Sequence, residues 1–177
     1  MVEIVNRDNP ILRRHADLVP TKDIGSPRIK DIIDRMNIAM DDQKDGIAIA
    51  APQIGESLQI FIVSGSLLSQ ADPTYSGSIE NLVFINPKIT KRSRETRDVE
   101  EGCLSVRWFY GVVKRHAKVT LIALNENSEK IERGASGLLA QIFQHETDHL
   151  NGTLFTDHAM ELWEMSKEEV EELQKKN

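Results

Sequence analysis

The stretch Gln144-His145-Glu146-Thr147-Asp148-His149 carries two histidines four positions apart, with a glutamate between them. On an α-helix, side chains four residues apart lie on the same face, one turn above the other. Two imidazoles placed in this way can bind one metal ion, and the intervening glutamate is close enough to exchange protons with an activated water. The stretch therefore predicts a helix that carries the metal site of a hydrolase.

The residues around this stretch favour the helix. An apolar stripe continues through both histidines at intervals of four, three and four residues, formed by Leu138, Ile142, His145 and His149. The helix is expected to end at Asn151-Gly152, because both residues tolerate left-handed backbone. A polar side chain that points inward needs a partner. The alternative to a metal is a pair of core histidines hydrogen-bonded to backbone carbonyl groups.

The single cysteine of the chain offers a third metal ligand. Cys103 lies in the segment Glu101-Gly102-Cys103-Leu104-Ser105, where the glycine allows the backbone a close approach. A cysteine thiolate is a good ligand for zinc and for ferrous iron. A lone cysteine in an intracellular protein is more often a small buried hydrophobic residue. Beside an incomplete two-histidine site, the ligand interpretation is favoured.

A third segment, Gly46–Gln53, joins small residues to one amide side chain. Small side chains let a substrate backbone lie against the protein, and an extended segment with a free edge can pair with a peptide by strand addition. The amide of Gln53 can donate hydrogen bonds to a carbonyl oxygen. Taken alone, such a segment is equally typical of tight packing before a turn.

Together these three segments resemble the peptide deformylases, which are metal hydrolases that remove the formyl group from the N-terminal formyl-methionine of new proteins. The family's motifs are a glycine-rich segment ending in Ala-Ala-x-Gln, then Glu-Gly-Cys-hydrophobic-Ser, then Gln-His-Glu-x-Asp-His. In this chain they lie at 46–53, 101–105 and 144–149, in the family's order. The resemblance continues between the motifs and covers nearly the whole chain apart from its C-terminal end.

The resemblance implies a metal site and a mechanism. Cys103, His145 and His149 are expected to bind one divalent ion, with Fe²⁺ as the working ion and Zn²⁺, Ni²⁺ or Co²⁺ as alternatives in purified protein. Glu146 is expected to act as general base and then as general acid. The Gln53 side-chain amide and the Leu104 backbone N–H are expected to stabilise the oxyanion. The products are formate and a free N-terminal amine.

The resemblance also implies a peptide-binding groove, lined by Gly46, Ile47, Ala48, Gly102 and Tyr110. Ala48 departs from the family, which usually has a glycine there, and its methyl group crowds the substrate side. The segment Arg107-Trp108-Phe109-Tyr110 is unusually bulky and borders the groove. Peptide preference is therefore expected to differ from that of other members more than the chemistry does.

Three charged residues near the motifs are expected to support the metal ligands. Metal-bound histidines commonly donate their second ring N–H to a carboxylate, and Glu101 is the candidate acceptor. Arg115 is expected to pair with Asp148, with an ordinary surface ion pair as the alternative.

Length and composition favour a single domain. The chain has 177 residues, of which 40% are hydrophobic, and a chain of this size buries most of its unfolded surface in one core. We expect a catalytic metallohydrolase domain over residues 1–165, with residues 166–177 forming a C-terminal surface helix of the same domain. A single cysteine excludes a disulfide within the chain.

The expected partners are formyl-methionyl nascent peptides. The net charge of −6 argues against direct binding of nucleic acid. The first residues lack an apolar signal core and no apolar run reaches the length of a membrane span, so no membrane contact is expected and the cytoplasm is the expected location. In bacterial relatives a basic C-terminal helix docks on the ribosome. Here Glu168, Glu169, Glu171 and Glu172 make that helix acidic, which favours a solvated surface helix over a transient ribosome contact.

Hydrophobic periodicity predicts an α+β fold with mixed or antiparallel sheets around a central metal-binding helix, and the resemblance implies the same architecture. Ser26-Pro27 is expected to open a helix with an apolar stripe, and Ser166 with Glu169 to form a capping box for the last helix. Strands are expected at 58–63, 82–85, 112–113 and 118–124, with a polar loop over 64–80.

Two other classes of function remain open from the residues. A His-Glu-x-x-His endoprotease shares the helix, but usually takes its third ligand from a downstream histidine or glutamate and needs no cysteine. A non-catalytic module stabilised by a metal would leave Glu146 without a role. The deformylase interpretation uses Cys103, both histidines, Glu146 and Gln53 at once.

Overall fold

The computed structural model describes residues 2–43, 45–73 and 75–176, with side chains described as far as Glu172. The helices are α1 Pro27–Asp41, α2 Gly65–Ala71, α3 Gly137–Leu150 and α4 Lys167–Lys176. The strands are β1 Ala48–Ala50, β2 Ile60–Val63, β3 Leu82–Arg92, β4 Thr96–Gly102, β5 Phe109–His116, β6 Lys118–Leu124, β7 Lys130–Ser136 and β8 Glu161–Glu164.

The strands form two antiparallel sheets around α3. The first sheet has the order β1-β2-β3-β6-β7, and the second has the order β4-β5-β8. Helix α3 packs against β1, β3 and β6 of the first sheet and against β5 of the second. The predicted α+β fold with a central helix is therefore confirmed, and β1 lies at the free edge of its sheet.

Strand β2 is apolar throughout because both faces of the first sheet are covered. Phe61 faces α3, where its ring lies 4.8 Å from Phe84, and Phe84 lies 5.1 Å from Phe143 of α3. Ile60 and Ile62 face the other way, into the cluster that includes the stripe of α1. Burial on both sides explains the uninterrupted run of large side chains in β2.

Helix α1 begins as its sequence predicts. The Ser26 side chain accepts a hydrogen bond from the Ile29 N–H, and Pro27 occupies the first helical position. The buried stripe consists of Ile29, Ile32, Ile33, Met36, Ala39 and Met40. These side chains pack on the outer face of the first sheet, and α3 occupies its inner face.

The prediction of a continuous polar loop over 64–80 was wrong. Residues 65–71 form α2, with the Ser64 side chain accepting from the Leu67 N–H and Leu68 fully buried. One buried leucine and one cap stabilise this short helix, and neither produces a recognisable period. The strands β4, β7 and β8 were also not predicted, and β3 extends well beyond the predicted 82–85.

The predicted end of α3 is confirmed in part, and the predicted start of α4 is confirmed. At the end of α3 only Gly152 adopts left-handed backbone, with φ of 75°, whereas Asn151 has φ of −95°. At the start of α4 the capping box is present: the Glu169 N–H donates to Ser166 Oγ and the Ser166 N–H donates to Glu169 Oε2. The final residue, Asn177, lies outside the described residues.

Within the described ranges, none of the helices combines the length and the apolar character needed to cross a membrane.

Candidate metal centre

Helix α3 and the segment after β4 bring three potential metal ligands together. His145 and His149 lie one turn apart on α3, with ring centroids separated by 5.0 Å. Cys103 directly follows β4, and its Sγ lies 3.2 Å from His149 Nε2. The ligand atoms of Cys103, His145 and His149 all lie within 4.8 Å of one another. Three such atoms at this spacing can contact a single ion.

The chemistry of these three groups suits a divalent metal. Burial raises the pKa of the Cys103 thiol, but the adjacent His149 and His145 oppose this effect and lower the pKa to about 5. The thiolate is therefore the dominant form at neutral pH. One thiolate and two imidazoles are a ligand set that both zinc and ferrous iron accept, with a fourth position left open in catalytic sites.

A buried ion-pair network orients His145. Its Nδ1 lies 2.9 Å from Glu101 Oε2. Arg115 donates to both oxygens of Glu101, from Nε over 2.7 Å and from Nη2 over 2.9 Å, and its Nη1 donates to Asp148 Oδ2 over 2.6 Å. The predicted contacts of Glu101 with a histidine and of Arg115 with Asp148 are thus both present. They direct Nε2 of His145 toward Cys103.

Burial alone would raise the pKa of Glu101, but the hydrogen bonds from Arg115 and His145 lower it to about 2. The carboxylate is therefore charged throughout the neutral range. A charged acceptor fixes the proton of His145 on Nδ1, which leaves Nε2 free to act as a ligand.

Glu146 is a buried carboxylate of the site, and one of its two oxygens makes no hydrogen bond to the described residues. Its Oε2 has no hydrogen-bond partner among the described residues, and neither has Nδ1 of His149. Burial raises the pKa of Glu146, although His145 and His149 act in the opposite direction. A buried acceptor without a protein donor is costly unless water or a ligand supplies the hydrogen bond. Glu146 also lines the cavity in front of the three potential ligands, so a small polar molecule held there is a candidate partner for its carboxylate.

Gln53 approaches the same centre from the turn that follows β1. Its Oε1 accepts from the Ala50 N–H over 2.8 Å, which orients the amide. Its Nε2 donates to Ser105 Oγ over 3.3 Å and lies 3.6 Å from Cys103 Sγ. Ser105 was not among the predicted site residues, although its place two residues after the cysteine was the available signal.

A cavity of about 360 Å³ opens in front of these groups. Its lining includes the predicted Ile47, Ala48, Gly102, Leu104 and Tyr110, together with the apolar side chains of Leu138 and Ile142. The ring of Tyr110 leaves little room for a side chain at residue 102, because a Cβ on Gly102 would lie 2.7 Å from Cε1 of Tyr110.

Gly46 is placed differently from the other predicted groove residues. It does not line the cavity, and it is buried against the end of α1. A Cβ at this position would lie 2.9 Å from the Met40 carbonyl oxygen. Close packing against the helix end therefore accounts for this glycine.

Comparisons with known proteins agree with this geometry. The model of the family "Polypeptide deformylase" matches residues 1–164. Peptide deformylase 2 of Clostridium acetobutylicum is 40% identical over 151 residues, covering 85% of this chain and 89% of the relative. The chloroplastic peptide deformylase 1A of Solanum lycopersicum is 39% identical over 164 residues, covering 89% of this chain, which spans only 59% of that longer protein.

Solved structures give the same result for the fold. A Met-Ala-Ser-bound crystal structure of the class I type b peptide deformylase from Acinetobacter baumannii superposes with a TM-score of 0.79. It is 34% identical, and the match covers 89% of this chain and 99% of that one. On the family match, the sequence identity and the shared fold, the chain belongs to the polypeptide deformylase family.

Proposed function

We propose that this protein hydrolyses the N-terminal formyl group of formyl-methionyl peptides and releases formate. The observation that carries the proposal is the buried Glu146, which lines the cavity beside the Cys103, His145 and His149 ligand set and has one carboxylate oxygen without a hydrogen-bond partner among the described residues. Family membership supports the same reaction. The related enzyme from Acinetobacter baumannii binds Met-Ala-Ser, a peptide with the N-terminal methionine that deformylation exposes.

Cys103, His145 and His149 would hold one divalent ion, for which Fe²⁺ is expected and Zn²⁺, Ni²⁺ or Co²⁺ are alternatives in purified protein. The chemistry supplied by such an ion would be Lewis acidity, which lowers the pKa of water toward about 7 and polarises a carbonyl group. Glu101 supports this arrangement through its contact with His145, and Arg115 through its contacts with Glu101 and Asp148.

Glu146 would move the protons of the reaction. It accepts a proton from the water that attacks the formyl carbon, and the pKa raised by burial makes the carboxyl group a stronger base than an exposed glutamate. When the bond between the formyl carbon and the nitrogen breaks, the same carboxyl group returns the proton to the leaving nitrogen. Water and formyl peptide are thereby converted to formate and a free amine.

Gln53 and Leu104 would stabilise the negative charge that develops on the formyl oxygen. The Ala50 N–H holds Oε1 of Gln53, so its NH₂ group is already oriented toward Cys103 before substrate arrives. Leu104 lines the same cavity and would contribute its backbone N–H. Removal of one such donor typically costs about 3 to 4 kcal/mol of transition-state stabilisation.

The substrate backbone would lie along the free edge of β1, against Ile47 and Ala48, with Gly102 and Tyr110 on the opposite wall. Leu138 and Ile142 supply apolar surface suited to a methionine side chain. The Ala48 methyl group narrows this groove relative to the glycine common in the family.

The substrates, the ribosome contact and the cellular location are predicted from the sequence. Nascent formyl-methionyl chains are the expected substrates, and a transient ribosome contact through the acidic α4 is not favoured. A cytoplasmic location is expected from the sequence, although one relative is a chloroplastic protein.

The test is formate release from formyl-Met-Ala-Ser by protein purified without oxygen and reloaded with iron or nickel, with Glu146→Gln as the matched control. We expect release by the wild type and a loss of at least about 100-fold in kcat in the control, with metal content unchanged. A folded, metal-loaded wild type that releases no formate would overturn the proposal. Equal activity in the two proteins would remove Glu146 from the chemistry.

A further inference from the structure

Two walls form the peptide groove, and they are linked at both ends. One wall is the segment 45–53, which contains β1, and the other is the loop 103–108 between β4 and β5. At the inner end, beside the metal ligands, Gln53 donates to Ser105. At the outer end, Arg107 reaches across to Asp45. The inner link belongs to the proposed chemistry, whereas the outer link has no role in it.

The outer link has the geometry of a strong ion pair. Nη1 of Arg107 lies 2.6 Å from Asp45 Oδ2 and its Nη2 lies 2.9 Å from Asp45 Oδ1, so the contact is bidentate. The same Nη2 donates to Gln43 Oε1 over 3.0 Å. The guanidinium also stacks on Trp108, 4.8 Å from the ring centroid. Four contacts therefore hold one side chain in a single position.

Each partner is attached rigidly to the wall that it joins. Asp45 belongs to a turn in which the Gly46 N–H donates to the Gln43 carbonyl, and Gly46 packs tightly against the end of α1. Arg107 lies in the second of two consecutive turns. The Val106 N–H closes the first by donating to the Cys103 carbonyl, and the Phe109 N–H closes the second by donating to the Val106 carbonyl. A shift of Arg107 would thus move the outer end of the loop that carries Cys103 and Leu104.

The pair is accessible but not fully exposed. The exposed fraction of the side chain is 25% for Arg107 and 40% for Asp45. Both residues line the cavity beside Ile47 and Trp108. The hydrogen bond from Arg107 lowers the pKa of Asp45, so the pair stays charged throughout the neutral range. A partly shielded bidentate pair contributes more than a fully exposed one.

We propose that Arg107 is a positioning residue that, through Asp45 and Gln43, sets the width of the outer groove and so governs binding of the peptide beyond its formyl-methionine. The inference rests on the proposed function. Because the pair lies at the end of the groove away from Gln53, it affects residues of the substrate that extend past the reacting group. Among the described residues, the hydrogen bonds of the Arg107 side chain go to Asp45 and Gln43 and not to Cys103, His145, His149 or Glu146.

The experiment compares two substrates of different length, formyl-Met-Ala and formyl-Met-Ala-Ser, in metal-loaded wild type and Arg107→Ala. For the longer substrate we expect KM to rise about three- to tenfold with kcat within about twofold of wild type. For the shorter substrate we expect KM to change by less than about twofold. Equal KM values for wild type and variant on the longer substrate would overturn the proposal.

Matched variants separate positioning from a loss of charge or of fold. Arg107→Lys keeps the charge but loses the bidentate fork, so it should show an intermediate KM. The double variant Asp45→Arg/Arg107→Asp restores the pair in reverse and should recover most of the wild-type KM. Arg35→Ala breaks a pair of similar exposure, in which Arg35 (34% exposed) contacts Glu56 (26% exposed) at 2.7 Å, and it should leave KM for both substrates unchanged.

A direct binding measurement keeps this inference distinct from the proposed function. Titration of each protein with Met-Ala-Ser, followed by tryptophan fluorescence, reports affinity without turnover. Suppose that the wild type releases no formate, but Arg107→Ala binds Met-Ala-Ser more weakly than the wild type does. That result would sustain the positioning role and reject the proposed reaction. A KM effect that appears only with acidic peptides, such as formyl-Met-Ala-Asp, would mean that Arg107 binds the peptide itself, and the positioning role would be rejected.

Discussion

Replacement of Arg115 by methionine should destabilise the protein and weaken the metal site together. Arg115 and Glu101 are buried, with 9% and 2% of their side chains exposed, and two hydrogen bonds of 2.7 and 2.9 Å join them. Methionine keeps much of the volume of arginine but supplies neither charge nor donors. The variant therefore leaves Glu101 as a buried carboxylate that retains only His145 as a partner.

The magnitude follows from the pKa of Glu101. Its fall from the ordinary value of 4.5 to about 2 corresponds to about 3 kcal/mol of stability at neutral pH. This agrees with the loss of about 3 to 5 kcal/mol that is typical when one partner of a buried ion pair is removed. Metal affinity should also fall about 10- to 100-fold, because Glu101 no longer holds His145 firmly.

The lowered pKa of Glu101 also predicts how the free energy of unfolding changes with pH. A carboxyl group whose pKa is lowered by folding stabilises the protein above its unfolded pKa, and this contribution is lost as the pH falls through the folded value. In wild type, the stability contributed by ionised Glu101 should therefore be complete above about pH 4.5 and should shrink as the pH approaches about 2, and Arg115→Met should lack this contribution. Urea unfolding of metal-stripped wild type and variant between these limits measures it.

Two results would refute this reasoning. One is a free energy of unfolding within about 1 kcal/mol of wild type at pH 7, because the buried Glu101 would then not depend on Arg115. The other is a difference in stability that does not change with pH. Lys114→Met is the matched control, since Lys114 is the neighbouring residue and its pair with Asp98 is exposed on both sides. It should change stability by less than about 1 kcal/mol.

Three further predictions concern the groove and the core. Gln53→Ala should lower kcat about 100- to 1,000-fold with little change in KM, measured as steady-state formate release. Gly102→Ala should push the ring of Tyr110 out of the cavity wall and lower the melting temperature. That loss should disappear in a Tyr110→Ala background, which removes the clash. Phe84→Ala should cost about 3 to 5 kcal/mol in urea unfolding, because Phe84 lies between Phe61 and Phe143 in the core.

The parts of the fold that were predictable have a local cause. The cap at Ser26 and the stripe of α1 are fixed by residues a few positions apart, and so is the face of α3 that carries His145 and His149. By contrast β4 is polar and largely exposed along most of its length, and its strand conformation comes from pairing with β5. No property of the Thr96–Gly102 sequence alone indicates that partner.

The candidate site also has features that the sequence predicts and features that it does not. The proximity of Cys103, His145 and His149 could be predicted, because their side chains are chemically distinctive and the two histidines are one helical turn apart. The pair of Arg107 with Asp45 could not, because 62 residues separate two common surface residue types. The role of Gly46 was also not visible, since its close neighbour is the carbonyl oxygen of Met40 at the end of α1.

The geometry gives a structural role to two residues of the third motif that have no part in the proposed chemistry. Gln144 accepts a hydrogen bond from the His116 N–H over 2.9 Å and donates to the His116 carbonyl over 3.0 Å. Asp148, one turn later, accepts from Arg115, the residue before His116. Both contacts fasten the same turn of α3 to the end of β5. The histidines and Glu146 are carried by that turn, so their backbone is held in place by contacts that do not involve a metal. We therefore expect an ion bound by the histidines to require little rearrangement of the helix.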